Sequence, residues 1–285
     1  MQLPKDRHAC KVIRLHQQHI HPAHRPEQTD GGHLPHGQGQ GHSVRRERAF
    51  VAPQVAVAAR ADRGNLQGLG DRLMRQSCLN MLYELAQGDQ RIFYIGSDLG
   101  AGTLDKFKEE MPDRFFMEGI SEANIIGLAA GLAMEGKIPY VNTIATFLTR
   151  RCFEQIVVDL CLHNVKVRLI GNGGGLVYAP LGPTHQAIDD IAIFRALPNM
   201  TILAPADADE MRRLMPLTID YPGPVYIRLA KGYDPIVTRD DLPFQIGRAI
   251  PMRNGSDALI VTTGITLAVA LEGAETLAKE GLEAT

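Results

Sequence analysis

From residue 70 onward, short apolar runs alternate with stretches whose apolar residues recur at helical spacing, the pattern of a parallel sheet wrapped by helices. The strand candidates are RIFYIGSD (91–98), IPYVNTIA (138–145), VKVRLIGN (165–172), MTILAP (200–205) and PVYIRLA (224–230), all rich in Ile, Val and Tyr. SEANIIGLAAGLAMEG predicts a helix with Ser121 as N-cap, one face carrying Ile125, Leu128, Ala129 and Leu132, and a stop at Gly136. LTRRCFEQIVVDLCLHN and ADADEMRRLMPLTID predict two more. The fold class is therefore α/β, a parallel sheet flanked by helices. After a polar connection around 232–247, DALIVTTG and ITLAVALEGAETLAKEG predict one further strand and helix. That pair is too small to be a domain, so 246–285 reads as an incomplete second α/β unit. Its apolar face would then be uncovered, and the isolated chain is expected to aggregate unless extended or paired.

The first 64 residues differ in kind. Eight of the ten histidines (His8, His16, His19, His21, His24, His33, His36, His42) fall there among repeated Gln, Gly and Pro, a composition that does not build a core. His16 with His19, or His21 with His24, would suit a metal only on one helical face, and Pro22 and Pro26 break any helix there. Residues 1–64 are thus expected to be a disordered or spurious histidine-rich extension. The whole chain carries a formal charge of −2, which gives no electrostatic footprint for nucleic acid. Cys10, Cys78, Cys152 and Cys161 are scattered without a CxxC pair, which suits a reducing cytoplasm. No apolar run is long enough to span a membrane, and the opening MQLPKDRHAC lacks a secretory apolar stretch.

Among groups that carry chemistry, Glu122 is the most informative, because it opens a helix whose other side chains are nearly all apolar or small. The helix terminus favours its anion while burial favours the neutral acid, a competition that suits a proton-exchanging group; an ordinary first-turn Glu is the alternative. GNGGG (171–175) follows a strand but lacks the spacing of a phosphate loop. Asp98 stands at a strand's carboxyl end, where open parallel sheets place their ligands. His185 in GPTHQ lies in a turn-rich segment and favours a functional role, whereas His163 reads as a solvated or capping residue at a helix end. Arg228 sits in an apolar strand and requires an anionic partner, either a phosphate or a neighbouring carboxylate.

Taken in order, MEGISEANIIGLAAGLAMEGKIPYVNTIATFLTRRCFEQIVVDL, GPTHQAIDDIAIFRALPNMTILAPADADEMRRL and GPVYIRLAKG resemble the pyrimidine-binding domain of transketolases and of 1-deoxy-xylulose-phosphate synthases. The resemblance spans residues 70–240, with the start of the family's C-terminal domain in 246–285. It implies thiamine diphosphate as cofactor, with Glu122 bonding the aminopyrimidine ring nitrogen so that the thiazolium carbon becomes a nucleophile. It further implies that Phe147 stacks on the aminopyrimidine, with Arg150 and Phe153 at neighbouring pocket positions. His185 matches the substrate-facing histidine, Arg228 a substrate-phosphate arginine, Asp98 the acidic residue of the first strand end, and Arg75 in LMRQS a second phosphate arginine. No metal ligand is implied in this chain. Leu181 stands where the family commonly carries an acid before the THQ motif, which departs from ordinary sugar-phosphate specificity. No GDG followed by Asn occurs, so the Mg²⁺ and diphosphate site is expected mainly on a partner.

The resemblance thus implies the C-terminal subunit of a split transketolase, a transferase moving a two-carbon ketol unit between sugar phosphates. Its partner would be an N-terminal, diphosphate-binding subunit in a hetero-oligomer such as a heterotetramer. The alternatives are a 2-oxo-acid dehydrogenase β subunit or deoxyxylulose-phosphate synthase fragment, and a non-catalytic or truncated assembly module.

Overall fold

A computed structural model describes residues 73–97, 104–230 and 234–285. All belong to the compact unit Arg60–Thr285; the histidine-rich opening, residues 1–64, lies outside the described residues, as does Asp98. The described chain runs α1 (Met74–Gly88), β1 (Ile92–Gly96), α2 (Asp105–Glu110), β2 (Phe115–Met117), α3 (Glu122–Met134), β3 (Ile138–Ile144), α4 (Ala145–Thr149) and α5 (Phe153–Gln155), which passes into a π-helical stretch, Ile156–Leu162. There follow β4 (Arg168–Asn172), α6 (Asp190–Arg195), β5 (Thr201–Leu203), α7 (Ala208–Thr218), β6 (Val225–Leu229) and α8 (Thr266–Lys279).

The six strands form one parallel sheet in the order β2-β1-β3-β4-β6-β5. Central β3 is buried at all seven positions, as expected where helices cover both faces. On one face α1 and α7 pack through Met74, Leu79, Leu82, Met211, Leu214 and Met215 onto Tyr94, Ile170 and Ile227. On the other, Ile125, Ile126 and Ala129 of α3 meet Leu148, Cys152, Ile156 and Phe194 over Val141 and Leu169.

Several expectations need correction. The apolar face of α3 turns so that Ile125, Ile126, Ala129 and Ala130 are buried, while Leu128 is exposed. Ser121 takes the N-cap position, but its hydroxyl donates to the Glu118 carbonyl at 2.9 Å instead of capping the helix. Gly136, at φ +78°, stops the helix region as expected. The helix expected over LTRRCFEQIVVDLCLHN is divided into α4, α5 and the π-helical stretch. β2 is not legible along the chain, because three residues at a sheet edge leave no periodicity to read.

DALIVTTG forms no strand. Its pairing is an isolated bridge between Ala258 and Ala284, with Asp257 and Ile260 N–H donating to the Glu283 and Thr285 carbonyls, and no described strand extends it into a ladder. Leu259 and Val261 are exposed, and α8 buries only Ala274. A cavity of about 500 Å³ opens between this segment and α7, lined among others by Glu210, Arg213, Leu259, Val261 and Leu267. None of the Glu122 neighbours lines it.

Candidate active site

The carboxyl ends of β3 and β4, the start of α3 and the loop before α6 bring the predicted residues together. Glu122 is the first residue of α3 and only 2 % exposed. Its Oε2 accepts a hydrogen bond from Arg151 Nη1 at 2.7 Å. The same guanidinium sits over the Phe147 ring, with Cζ 4.0 Å from the ring centroid, well inside the range of cation–π attraction. Phe147 in turn presents its half-buried ring to His185, with centroids 5.2 Å apart at 66°. Carboxylate, guanidinium, phenyl ring and imidazole therefore form one continuous row.

Local structure fixes each member. β3 runs into α4 without a linker, so Phe147 is carried at the strand's carboxyl end. His185 ends a 3₁₀ turn, Pro183–His185. That turn is tied to α4 by Thr146 Oγ1, which donates to the Thr184 carbonyl at 3.1 Å, and the Thr184 hydroxyl meets His185 Nδ1 at 2.9 Å. Arg150 faces the same loop instead of Glu122: it pairs with Asp189 at 3.2 Å and donates to the Gln186 carbonyl. Of the two adjacent arginines, the structure brings Arg151 into contact with Glu122. Phe153 opens α5, 37 % exposed, alongside α3.

Arg228 finds its anionic partner within the chain. Its Nε donates to Asp190 Oδ2 at 2.7 Å, and the Tyr226 hydroxyl donates to the same oxygen at 2.8 Å. Burial, followed by the Asp190 charge, pushes the Tyr226 hydroxyl well above its ordinary range, so it stays a donor. The glycine loop passes over this arginine, and a Cβ on Gly174 would lie 2.6 Å from Arg228 Cζ. Backbone N–H groups of Gly173 and Gly174 donate to the Leu229 carbonyl, and that of Gly175 to Ala187. Those donors are spent on the fold, which removes GNGGG as a phosphate loop. Arg75 is half-buried on α1, and its buried Nε has no hydrogen-bond partner among the described residues.

The model of the transketolase pyrimidine-binding domain matches residues 72–233. The chain belongs to the transketolase family. Among curated relatives, a 6-deoxy-6-sulfo-D-fructose transketolase subunit of Clostridium sp. (strain MSTE9) is 36 % identical over 217 residues, covering 76 % of this chain and 67 % of the relative. An apulose-4-phosphate transketolase subunit of Phocaeicola vulgatus is 37 % identical over 212 residues, 74 % of this chain and 68 % of its own length. A solved split-gene transketolase, described as an inactive β4 tetramer, superposes with a TM-score of 0.67 at 38 % identity, covering 74 % of this chain and 69 % of that one. The chain thus spans about two thirds of each of these transketolase relatives.

Two residues that contact the predicted ones escape a reading of the sequence. Arg150 and Arg151 both stand in TFLTRR, and spacing alone cannot say which faces the helix start. Asp190, the partner of Arg228, lies in an unremarkable DDIAIFR run.

Proposed function

We propose that this chain is the C-terminal, pyrimidine-binding subunit of a thiamine-diphosphate-dependent transketolase, moving a two-carbon ketol unit between sugar phosphates. The grouping of Glu122, Phe147 and His185 carries this reading: a 2 %-exposed carboxylate, a half-buried aromatic face and an imidazole edge, all at one corner of the sheet. These residues fit the aminopyrimidine end of the cofactor, since a planar nitrogen-bearing group already touches both Glu122 and Phe147. When bound, the cofactor supplies a nucleophilic carbon and an electron sink. Glu122 holds a proton towards the ring nitrogen, Phe147 supplies the flat apolar surface, and His185 faces the substrate oxygens. Arg150 latches the 183–189 loop and so holds His185 against Phe147. Phe153 is assigned to the cofactor pocket by resemblance. Arg75 and Arg228 are assigned to the substrate phosphate by resemblance; the unpartnered Nε of Arg75 supports its part, whereas Arg228 already spends its Nε on Asp190. Asp98, outside the described residues, is assigned to the substrate by resemblance.

The Mg²⁺ and diphosphate end is assigned to a separately encoded partner, in a hetero-oligomer such as a heterotetramer. The names of the relatives as subunits support this, as do the exposed apolar side chains of Ile120, two residues before Glu122, of Leu128 on α3, and of Val158 and Leu162 on the π-helical stretch packed against α3. Free, buried Cys78, Cys152 and Cys161 support a reducing, cytoplasmic setting, and no described helix is long and apolar enough to cross a membrane.

Calorimetry with thiamine diphosphate and magnesium tests the proposal, on this chain alone and mixed with the diphosphate-binding partner. Binding only in the mixture is expected. Binding by this chain alone would misplace the diphosphate site, and carbon dioxide release from pyruvate without ketose turnover would shift the reading to a 2-oxo-acid enzyme.

A further inference from the structure

We propose that Arg151 is a placeholder for the aminopyrimidine ring: its guanidinium fills the contact between Glu122 and Phe147 in the cofactor-free chain and leaves for solvent when the ring enters. The inference rests on the reading of the Glu122 site given above and adds what the ring must displace.

Three observations carry it. The first is shape. A guanidinium is planar and delocalised, and here it directs one N–H at Glu122 Oε2, 2.7 Å away, while its Cζ lies over the Phe147 ring, 4.0 Å from the centroid. Those are the two contacts that a flat aminopyrimidine would make with an acid and an aromatic face, so guanidinium and ring compete for the same surfaces.

The second is charge. Glu122 is almost fully buried, and a carboxylate in that position without a partner is costly. Arg151 therefore stabilises the Glu122 carboxylate. A ring whose nitrogen shares the carboxyl proton removes that need, because the buried group no longer carries a bare charge.

The third is freedom to leave. The Arg151 side chain is 45 % exposed, and its ion pair is with Glu122. Arg228, by contrast, is 20 % exposed and joins Asp190 in a bond shared with Tyr226. Arg168 is buried outright and donates to the carbonyls of Gly223, Tyr221 and Ile219. Of these three, Arg151 alone can rotate into water without abandoning a buried network.

The test uses the full chain in complex with its diphosphate-binding partner and reads thiamine diphosphate affinity by calorimetry in the presence of magnesium. Arg151→Met keeps a long apolar stem but removes the planar cation, and is expected to bind the cofactor roughly tenfold more tightly, because the occluded state no longer competes. Arg151→Lys keeps a charge for Glu122 but loses the flat face, and is expected to fall between wild type and Arg151→Met. In the cofactor-free chain, Arg151→Met is expected to lower the melting temperature, and Glu122→Gln in the same chain to recover part of the loss. Affinity unchanged or weakened in Arg151→Met would overturn the proposal, since it would place Arg151 in the loaded site or outside the competition. Absence of thiamine diphosphate binding by the wild-type complex would instead overturn the reading of the Glu122 site itself. Should Arg151→Met fail to fold, Arg151→Lys decides by the same affinity criterion.

Discussion

Arg228 Nε donates to Asp190 Oδ2 at 2.7 Å, joining strand β6 to the first turn of α6 through a carboxylate that is 1 % exposed. Because Tyr226 shares the same oxygen, the pair fixes two side chains of β6 and, through the loop between β4 and α6, the backbone that presents His185. Asp190→Ala is expected to cost about 3–5 kcal/mol of stability, as when one partner of a buried ion pair is removed. Urea denaturation of the two chains checks it; a loss below about 1 kcal/mol would mean the pair is dispensable.

Glu122→Gln preserves shape and hydrogen-bonding reach but cannot hold the proton. In the complete complex it is expected to lower ketol-transfer turnover by about 10²- to 10⁴-fold with assembly unchanged, the range for positioned acid–base groups. Steady-state kinetics beside size-exclusion chromatography would show this. Turnover within about threefold of wild type would remove Glu122 from the mechanism.

The Asp207 carboxyl is fully buried at the N-cap of α7. Burial raises its proton affinity, but bonds donated by the backbone N–H groups of Glu210, Thr238 and Val237 and by the Thr238 hydroxyl outweigh it, leaving the carboxyl below its usual range. A lowered folded-state value means stability that is present above the ordinary carboxylate range and lost as pH falls through the folded value. Asp207→Asn is therefore expected to destabilise the chain at neutral pH, with the gap to wild type closing in strong acid. Thermal melts at stepped pH report it, and a gap that widens on acidification would refute the account.

Burial pushes the Cys78 and Cys152 thiols up to about 12 and Cys161 to about 11, so little thiolate exists at neutral pH. Iodoacetamide treatment of the native chain, followed by peptide mass spectrometry, is expected to leave all three unmodified. Denaturant should expose them together. Rapid native labelling of Cys152, which donates to the Phe147 carbonyl at 3.2 Å, would show that the α4 region opens.

Much of the fold is legible because burial imposes period. IPYVNTIA reads as a strand and ADADEMRRLMPLTID as a helix, and the structure places Ile138–Ile144 and Ala208–Thr218 there. Where period gives way to local competition, the reading fails. DALIVTTG has a strand's composition, yet a strand exists only through a neighbour's backbone, and here the pairing stays a single bridge between Ala258 and Ala284, with backbone bonds to 283–285. The stretch after Phe147 has a helix's composition, but its winding changes twice before Leu162.

The sequence by itself determined the alternation of strands and helices, the family resemblance, and Glu122, Phe147 and His185 as the residues to watch, because side-chain chemistry and hydrophobic period are properties of the chain. Only the tertiary structure decided that Arg151 and not Arg150 reaches Glu122, and that Asp190 answers Arg228. Neighbouring arginines are chemically identical along a chain. What separates them is the direction in which the turn after α4 points each side chain, and that is settled by contacts with residues 29 and 39 positions away.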